Sequence, residues 1–197
     1  MRVLFVSFAV ILIDQVSKLI VKGISIPFLK INLHGMYAGQ RIPVVNGLFN
    51  ITFVENPGIA FGIYPGYNFK LLICIFTIAA SVLMCYYLYK NRNNSFKLRL
   101  SLAIIIGGAL GNLIDRIFYG VIFGYGGVFH GKVVDFFNLK FFDIFIFNRI
   151  FGSYVFNVAD MAVTFGVIMF LFSLDRKKIV ESEEDIEVES YLADDKK

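Results

Sequence analysis

Asn157 and Asp160 stand at the head of an apolar run, Met161–Leu174, three residues apart and so on one face of a helix. A carboxylate there borders hydrocarbon, where insertion costs ~3 kcal/mol at a helix centre, so it calls for a chemical reason. Asp135 has a second apolar setting, Val133–Val134–Asp135–Phe136–Phe137. Two aspartates in a partly dry site can share one proton, because the charge on one raises the pKa of the other. Such a pair activates water and protonates a leaving amine. Other hydrolytic chemistries are poorly supplied. His34 and His130 are isolated, no Ser–His or Cys–His pair converges, and no HExxH, CxxC or His–Cys ligand spacing occurs. No metal site and no cofactor are predicted.

The elements that must position these acids are membrane elements. The chain has 197 residues, 57% of them hydrophobic, with a mean hydropathy of +0.71, too apolar for a soluble domain of this length. Nine of the fifteen acids fall in 175–197, which leaves Asp14, Glu55, Asp115, Asp135, Asp143 and Asp160 for the rest. The fold class predicted is an integral membrane, mainly α protein: a four-transmembrane-helix bundle with a small extramembrane β-sheet on the non-cytoplasmic side. Helices are expected over about 3–22, 69–89, 99–119 and 154–174, in a single domain, 1–174, followed by an acidic cytoplasmic tail, 175–197, too polar to bury a core. Arg2 and the apolar Val3–Ile13 could open a signal peptide, but no small-x-small cleavage site follows, so the first helix is read as uncleaved. In the loop 24–64, Val45–Asn46–Gly47–Leu48 carries a hairpin signal, so Ile42–Val45 and Leu48–Val54 should pair. The loop 120–153 is glycine- and aromatic-rich, with Asp143 as a solvated loop charge.

Basic residues at Arg2, in Lys90–Arg99 and at Arg176–Lys178 place both termini in the cytoplasm by the positive-inside rule. The unusual polar residues then converge on one depth. Asp14 and Lys18 end the first helix as an i, i+4 pair, Asn112, Asp115 and Arg116 end the third, and Asn157 and Asp160 open the fourth. Asp115 is read as a structural ion pair with Arg116. Gly107 and Gly111 have the spacing that lets helices approach closely, and Cys74 and Cys85 read as small buried hydrophobes. A transporter would instead spread charge through the membrane depth or repeat in two halves, and neither pattern is present. A non-catalytic scaffold that docks peptides on its sheet edge would not need two aspartates at one depth.

Five segments together resemble the motif blocks of lipoprotein signal peptidase (signal peptidase II). They are Asp14–Gln15–x–x–Lys18, Asn56–Pro57–Gly58–Ile59–Ala60–Phe61, Gly107–Gly108–Ala109–x–Gly111–Asn112–x–x–Asp115–Arg116, Val133–Val134–Asp135–Phe136 and Phe156–Asn157–x–Ala159–Asp160. They occur in the family's order and cover Asp14–Asp160. The resemblance implies a bacterial intramembrane aspartic endopeptidase of the inner membrane with its active site at the periplasmic face. Its partners would be diacylglyceryl-modified prolipoproteins and membrane lipid, with no nucleic acid, no metal and a monomeric state. By motif match Asp135 and Asp160 are the catalytic pair. Asn56, Gly58, Asn112, Arg116 and Asn157 line and brace the site, and Asp14, Lys18 and Asp115 support it. Extra residues around Gly35–Arg41, the aromatic stretch Phe141–Phe151 and the acidic tail depart from compact members of the family.

Overall fold

The structure, a computed structural model, describes residues 2–58, 67–146 and 149–173, and of 67, 141–146 and 149–152 the backbone alone. Ile59–Ala60–Phe61 of the second motif block and the tail 175–197 lie outside the described residues, as does the side chain of Asp143.

The chain runs α1 (Leu4–Lys22), β1 (Ile24–Ile26), a 3-10 turn (Pro27–Leu29), β2 (Ile31–Leu33), β3 (Arg41–Val45), β4 (Phe49–Asn56), α2 (Tyr67–Lys90), α3 (Phe96–Ile122), β5 (Val133–Ile146), β6 (Arg149–Phe156) and α4 (Val158–Ser173). α1, α2 and α3 are each long and apolar enough to cross a membrane. The fourth span needs correction. Tyr154–Phe156 continues β6 and the helix begins only at Val158, so the described α4 is a shorter apolar helix.

α1 shows how the bundle is held. Its buried residues are Ser7, Asp14, Lys18 and Val21, while Phe5, Phe8, Leu12, Ile13, Val16 and Ile20 are exposed. The helix hides its polar groups and shows its apolar ones, the inverse of a helix in water. Its buried face packs on α3 through glycine. A Cβ at Gly107 would meet Val10 Cβ at 2.8 Å and the Ser7 carbonyl oxygen at 2.9 Å. At that approach the Ser7 hydroxyl donates to the Ala103 carbonyl at 2.7 Å, which satisfies a polar group that lipid could not. Gly108 makes the same room for α4, where a Cβ would lie 2.5 Å from the Ala159 carbonyl oxygen. Of the cysteines, Cys74 is buried as expected, but Cys85 is exposed, among the outward-facing apolar residues of α2.

Among the described residues the loops hold two antiparallel sheets: a ribbon of β1 and β2, and a four-stranded sheet in the order β3-β4-β5-β6. The expected hairpin is present, with Ile42 opposite Ile51 and Val45 opposite Phe49. The long hairpin β5–β6 was not anticipated within 120–153. It joins both loops into one sheet, with Val54 opposite Asp135, Asn56 opposite Val133, and Phe137 opposite Phe156. Val134 and Phe136 seat this sheet on the bundle in a core shared with Val21, Phe53 and Tyr119. By connectivity the sheet adjoins the C-terminal ends of α1 and α3 and the N-terminal end of α4.

Candidate active site

The α4 N-terminus is fixed first. Asn157 stands immediately before the helix and Asp160 is its third residue. The Asn157 Oδ1 accepts from the Asp160 amide at 3.0 Å, and the Asp160 Oδ2 accepts from the Asn157 amide at 3.2 Å. This reciprocal cap satisfies two backbone donors and orients both side chains. A third donor, the Ala159 amide, reaches Asp14 Oδ1 on α1 at 2.9 Å. The head of α4 is thus bound from two sides.

Asp135 arrives on β5, whose ladder to β6 ends at Phe156, so the turn into α4 lies beside it. The Asn157 Nδ2 donates to Asp135 Oδ1 at 2.6 Å. Asn56, the last residue of β4, donates to Asp135 Oδ2 at 3.2 Å. Gly58, in a left-handed conformation at φ +93°, donates its amide to Asn56 Oδ1 at 2.9 Å and so holds that carboxamide in place. Asp135 is 5% exposed. Burial, and then the neighbouring Asp160 charge, push its carboxyl up to about 7, against the pull of its Asn56 and Asn157 hydrogen bonds.

Behind the two aspartates lies a buried charge cluster. Lys18 Nζ is 2.7 Å from Asp14 Oδ2 and 2.8 Å from Asp115 Oδ2, with all three side chains fully buried. Asp115 therefore pairs with Lys18, not with its sequence neighbour Arg116, because successive helix residues point about 100° apart. Gln15 donates to Asp115 Oδ1 at 2.8 Å and accepts from the Tyr119 hydroxyl at 3.1 Å. The Val134 amide, one residue before Asp135, also points at Asp115 Oδ2, at 3.3 Å. Asn112 connects this cluster to the aspartates. Its Oδ1 accepts from Lys18 Nζ at 2.8 Å and from Asn157 Nδ2 at 3.1 Å, while its Nδ2 donates to Asp160 Oδ1 at 2.8 Å. The carboxamide is polarised at one end by a buried ammonium and presents its donor end to a carboxylate.

Asp14, Lys18, Asn56, Gly58, Asn112, Asp115, Asp135, Asn157 and Asp160 thus belong to one hydrogen-bonded assembly. Arg116 stands apart from it. Half-buried on α3, it lies within electrostatic reach of Lys70 and Cys74 on α2, and its carbonyl accepts from the Gly131 amide at 3.0 Å. Tyr154 and Gln15 were not singled out as functional. Tyr154 lies close enough to the pair that burial, then Asp160 and Asp135, raise its phenol. Gln15 sits inside a motif quoted for its neighbours. From Asp160 an open groove of about 400 Å³ runs along α4, lined by Tyr154, Phe156, Met161, Thr164, Phe165 and Ile168. It is mostly apolar, with Asp160 at one end and Thr164 one turn along.

The fold is one that experimental structures of membrane enzymes contain. A solved structure described as a bacterial membrane enzyme, studied by the in meso method, superposes with a TM-score of 0.64 at 27% identity, covering 88% of this chain and 92% of that one. The sequence carries the comparison further. The model of the family Peptidase_A8, signal peptidase (SPase) II, matches residues 6–175. The lipoprotein signal peptidase of Halothermothrix orenii is 37% identical over 165 residues, 84% of this chain and 89% of that protein. Those of Moorella thermoacetica and Fusobacterium nucleatum are 34% and 31% identical, over 88% and 90% of this chain and 93% and 90% of theirs. The chain belongs to the signal peptidase II family, a family of membrane peptidases.

Proposed function

We propose that this chain is an aspartic endopeptidase that removes signal peptides from diacylglyceryl-modified bacterial prolipoproteins, cutting on the N-terminal side of the lipidated cysteine. Residues 1–174 form the peptidase domain. It acts as a monomer in the inner membrane, with both termini cytoplasmic and the site at the periplasmic face. The observation that carries this reading is that Asn157 binds Asp135 through its side chain and Asp160 through its backbone. One residue thereby holds two carboxyls from separate elements at one place.

Asp135 and Asp160 are the catalytic residues, one charged and one protonated at the start of the cycle. The charged carboxylate takes a proton from water as the water attacks the scissile carbonyl. The protonated carboxyl donates to the carbonyl oxygen, and the proton gathered from water then passes to the leaving amine. The carboxyl of Asp135, lifted to about 7, suits a group that must hold and release a proton near neutral pH. Asn56, Asn112 and Asn157 keep the carboxyls in register, and Arg116, outside that assembly, is left to bind the substrate. Lys18, with Asp14 and Asp115, holds Asn112. The apolar groove beside Asp160 gives the substrate an approach from the hydrocarbon side, where its acyl chains remain.

The test is to incubate the purified protein with a synthetic prolipoprotein peptide carrying a diacylglyceryl-cysteine, and to weigh the products. Cleavage at the bond before the modified cysteine, unchanged by chelator, is expected. Cleavage elsewhere, or only of the unlipidated peptide, would overturn the proposal.

A further inference from the structure

Among the described residues, β1 and β2 form a ribbon that hydrogen-bonds to no other strand. It follows α1 after a single residue, Gly23. On its return it is tied back to the same helix end: the Met36 amide donates to the Val21 carbonyl at 2.7 Å. Gly23 and Gly35 pass so closely that a Cβ on Gly23 would lie 2.5 Å from the Gly35 nitrogen. The ribbon is therefore anchored at the point where a membrane-spanning helix ends.

Its register makes it two-faced. Ile24 pairs with Leu33 and Ile26 with Ile31, while Ser25 pairs with Asn32 between them. Side chains of directly opposed residues share a face, and successive pairs alternate. One face is thus Ile24, Ile26, Ile31 and Leu33, and the other is Ser25 and Asn32. The protein covers this apolar face only in part: Ile24 and Ile26 are half-buried, while Ile31 is 45% and Leu33 40% exposed. At the tip the 3-10 turn carries Phe28, 94% exposed, beside Leu29 at 57%. Lys30, exposed and in a left-handed conformation, closes the turn.

A two-stranded ribbon is marginal in water unless something covers its apolar face. The surface nearest to hand is the leaflet from which α1 has just emerged. We propose that this ribbon lies on the bilayer surface with its apolar face down, and that Phe28 and Leu29 enter the interfacial zone of the phospholipid leaflet. Lys30 then reaches the phosphates while its stem covers apolar surface. This rests on α1 crossing the bilayer and not on the reaction assigned to the aspartates. The ribbon is a surface anchor. Residues 34–40 lead directly from it to the four-stranded sheet, where Gln40 and Phe53 hydrogen-bond through Phe53 N and Gln40 O at 3.1 Å.

The chain contains no tryptophan, so Phe28→Trp, Ile31→Trp and Ser25→Trp each introduce a single fluorophore. Each full-length variant, its fold checked by circular dichroism, is reconstituted into vesicles of phosphatidylcholine and phosphatidylglycerol, with and without bromines on the upper acyl carbons. Phe28→Trp and Ile31→Trp are expected to emit at shorter wavelength, to lose most of their emission to brominated lipid and to resist acrylamide. Ser25→Trp, on the opposite face, should show the reverse and controls for the affinity of tryptophan itself for the interface. Probing Phe28 and Ile31 separately keeps the test open if one variant does not fold. Acrylamide quenching of both without lipid quenching would overturn the proposal by showing a face in water. Shielding from both quenchers would overturn it in favour of a second copy or another protein. Equal lipid quenching of Ser25→Trp would overturn the assignment of faces.

Discussion

Asn157 and Asp160 cap each other: side chain to amide at 3.0 Å in one direction and amide to side chain at 3.2 Å in the other. The device that starts α4 is the same device that aims Asp160 and leaves the Asn157 Nδ2 free to reach Asp135. Folding of the helix and assembly of the candidate site are therefore one event, and substitutions can separate them.

Asn157→Ser keeps an oxygen that can cap but removes the amide that holds Asp135. Thermal stability in detergent should change by less than about 1 kcal/mol. Turnover of a lipidated peptide should fall on the order of a hundredfold, the usual consequence of a reacting group displaced by an ångström. Asn157→Ala should lose both. Equal turnover for Asn157→Ser and the unaltered chain would mean that the contact to Asp135 is idle.

Lys18→Met leaves Asp14 and Asp115 buried without their cation. Breaking a buried ion pair from one side costs about 3–5 kcal/mol, so folded yield and melting temperature should drop sharply. Lys22 offers a contrast from the same helix. It pairs with Glu55 near the surface, and Lys132 lies 3.2 Å from the other Glu55 oxygen. Burial pushes Glu55 up, but the two lysines outweigh it and hold the carboxyl below its ordinary value. Because Lys132 remains to pair with Glu55, Lys22→Met should cost less than Lys18→Met in the same melting experiment.

Gly108→Ala tests the α3–α4 contact. The new methyl would lie 2.5 Å from the Ala159 carbonyl oxygen and 2.8 Å from a Val163 methyl, so α4 must move. Overpacking of this kind costs about 1–3 kcal/mol. Since Ala159 adjoins Asp160, cleavage should suffer more than membrane insertion, as measured by comparing product formation with detergent-extracted folded protein. Gly124→Ala has open space around it but a φ of +68°, so its cost should be confined to local strain, with cleavage retained.

The pH profile should have an alkaline limb near 7. The pair must hold one proton for the proposed cycle, and above about 7 the protonated fraction of Asp135 falls about tenfold per pH unit. The same group sets a stability trend. Its folded value lies above the ordinary 3.8, so across that window the folded state binds more protons than the unfolded chain. Its contribution to stability is therefore lost progressively as pH rises from about 4 to about 7. A cleavage rate that climbs steadily through pH 9 would show that no carboxyl with this value takes part.

Much of this arrangement could be read from residue order, and the failures have physical causes. Asp14, Lys18, Asn112, Asp115, Asn157 and Asp160 announced themselves because a polar group on an apolar helix has no cheap place except against another polar group. The Asp115–Arg116 pairing failed because adjacency along a helix is not adjacency in space, and Lys18 reached Asp115 from another helix. The start of α4 was misplaced because hydropathy runs unbroken through Tyr154–Val155–Phe156. The spacing of Asn157 and Asp160 already encoded a cap that ends the strand there. β5 was missed because its start, Val133–Phe136, is buried on both faces and lacks the alternation that marks a half-buried strand. The joining of the two loops into one sheet depends on long-range pairing, which no local pattern specifies.

The most direct measurement is the rate at which Asp135→Asn and Asp160→Asn, each shown to be folded and membrane-inserted, cleave a synthetic diacylglyceryl-modified prolipoprotein. If the two aspartates carry the reaction, each substitution reduces the rate to background while the Asp143→Asn chain keeps its activity. Near-normal cleavage by either the Asp135→Asn or the Asp160→Asn chain would place the reaction centre elsewhere.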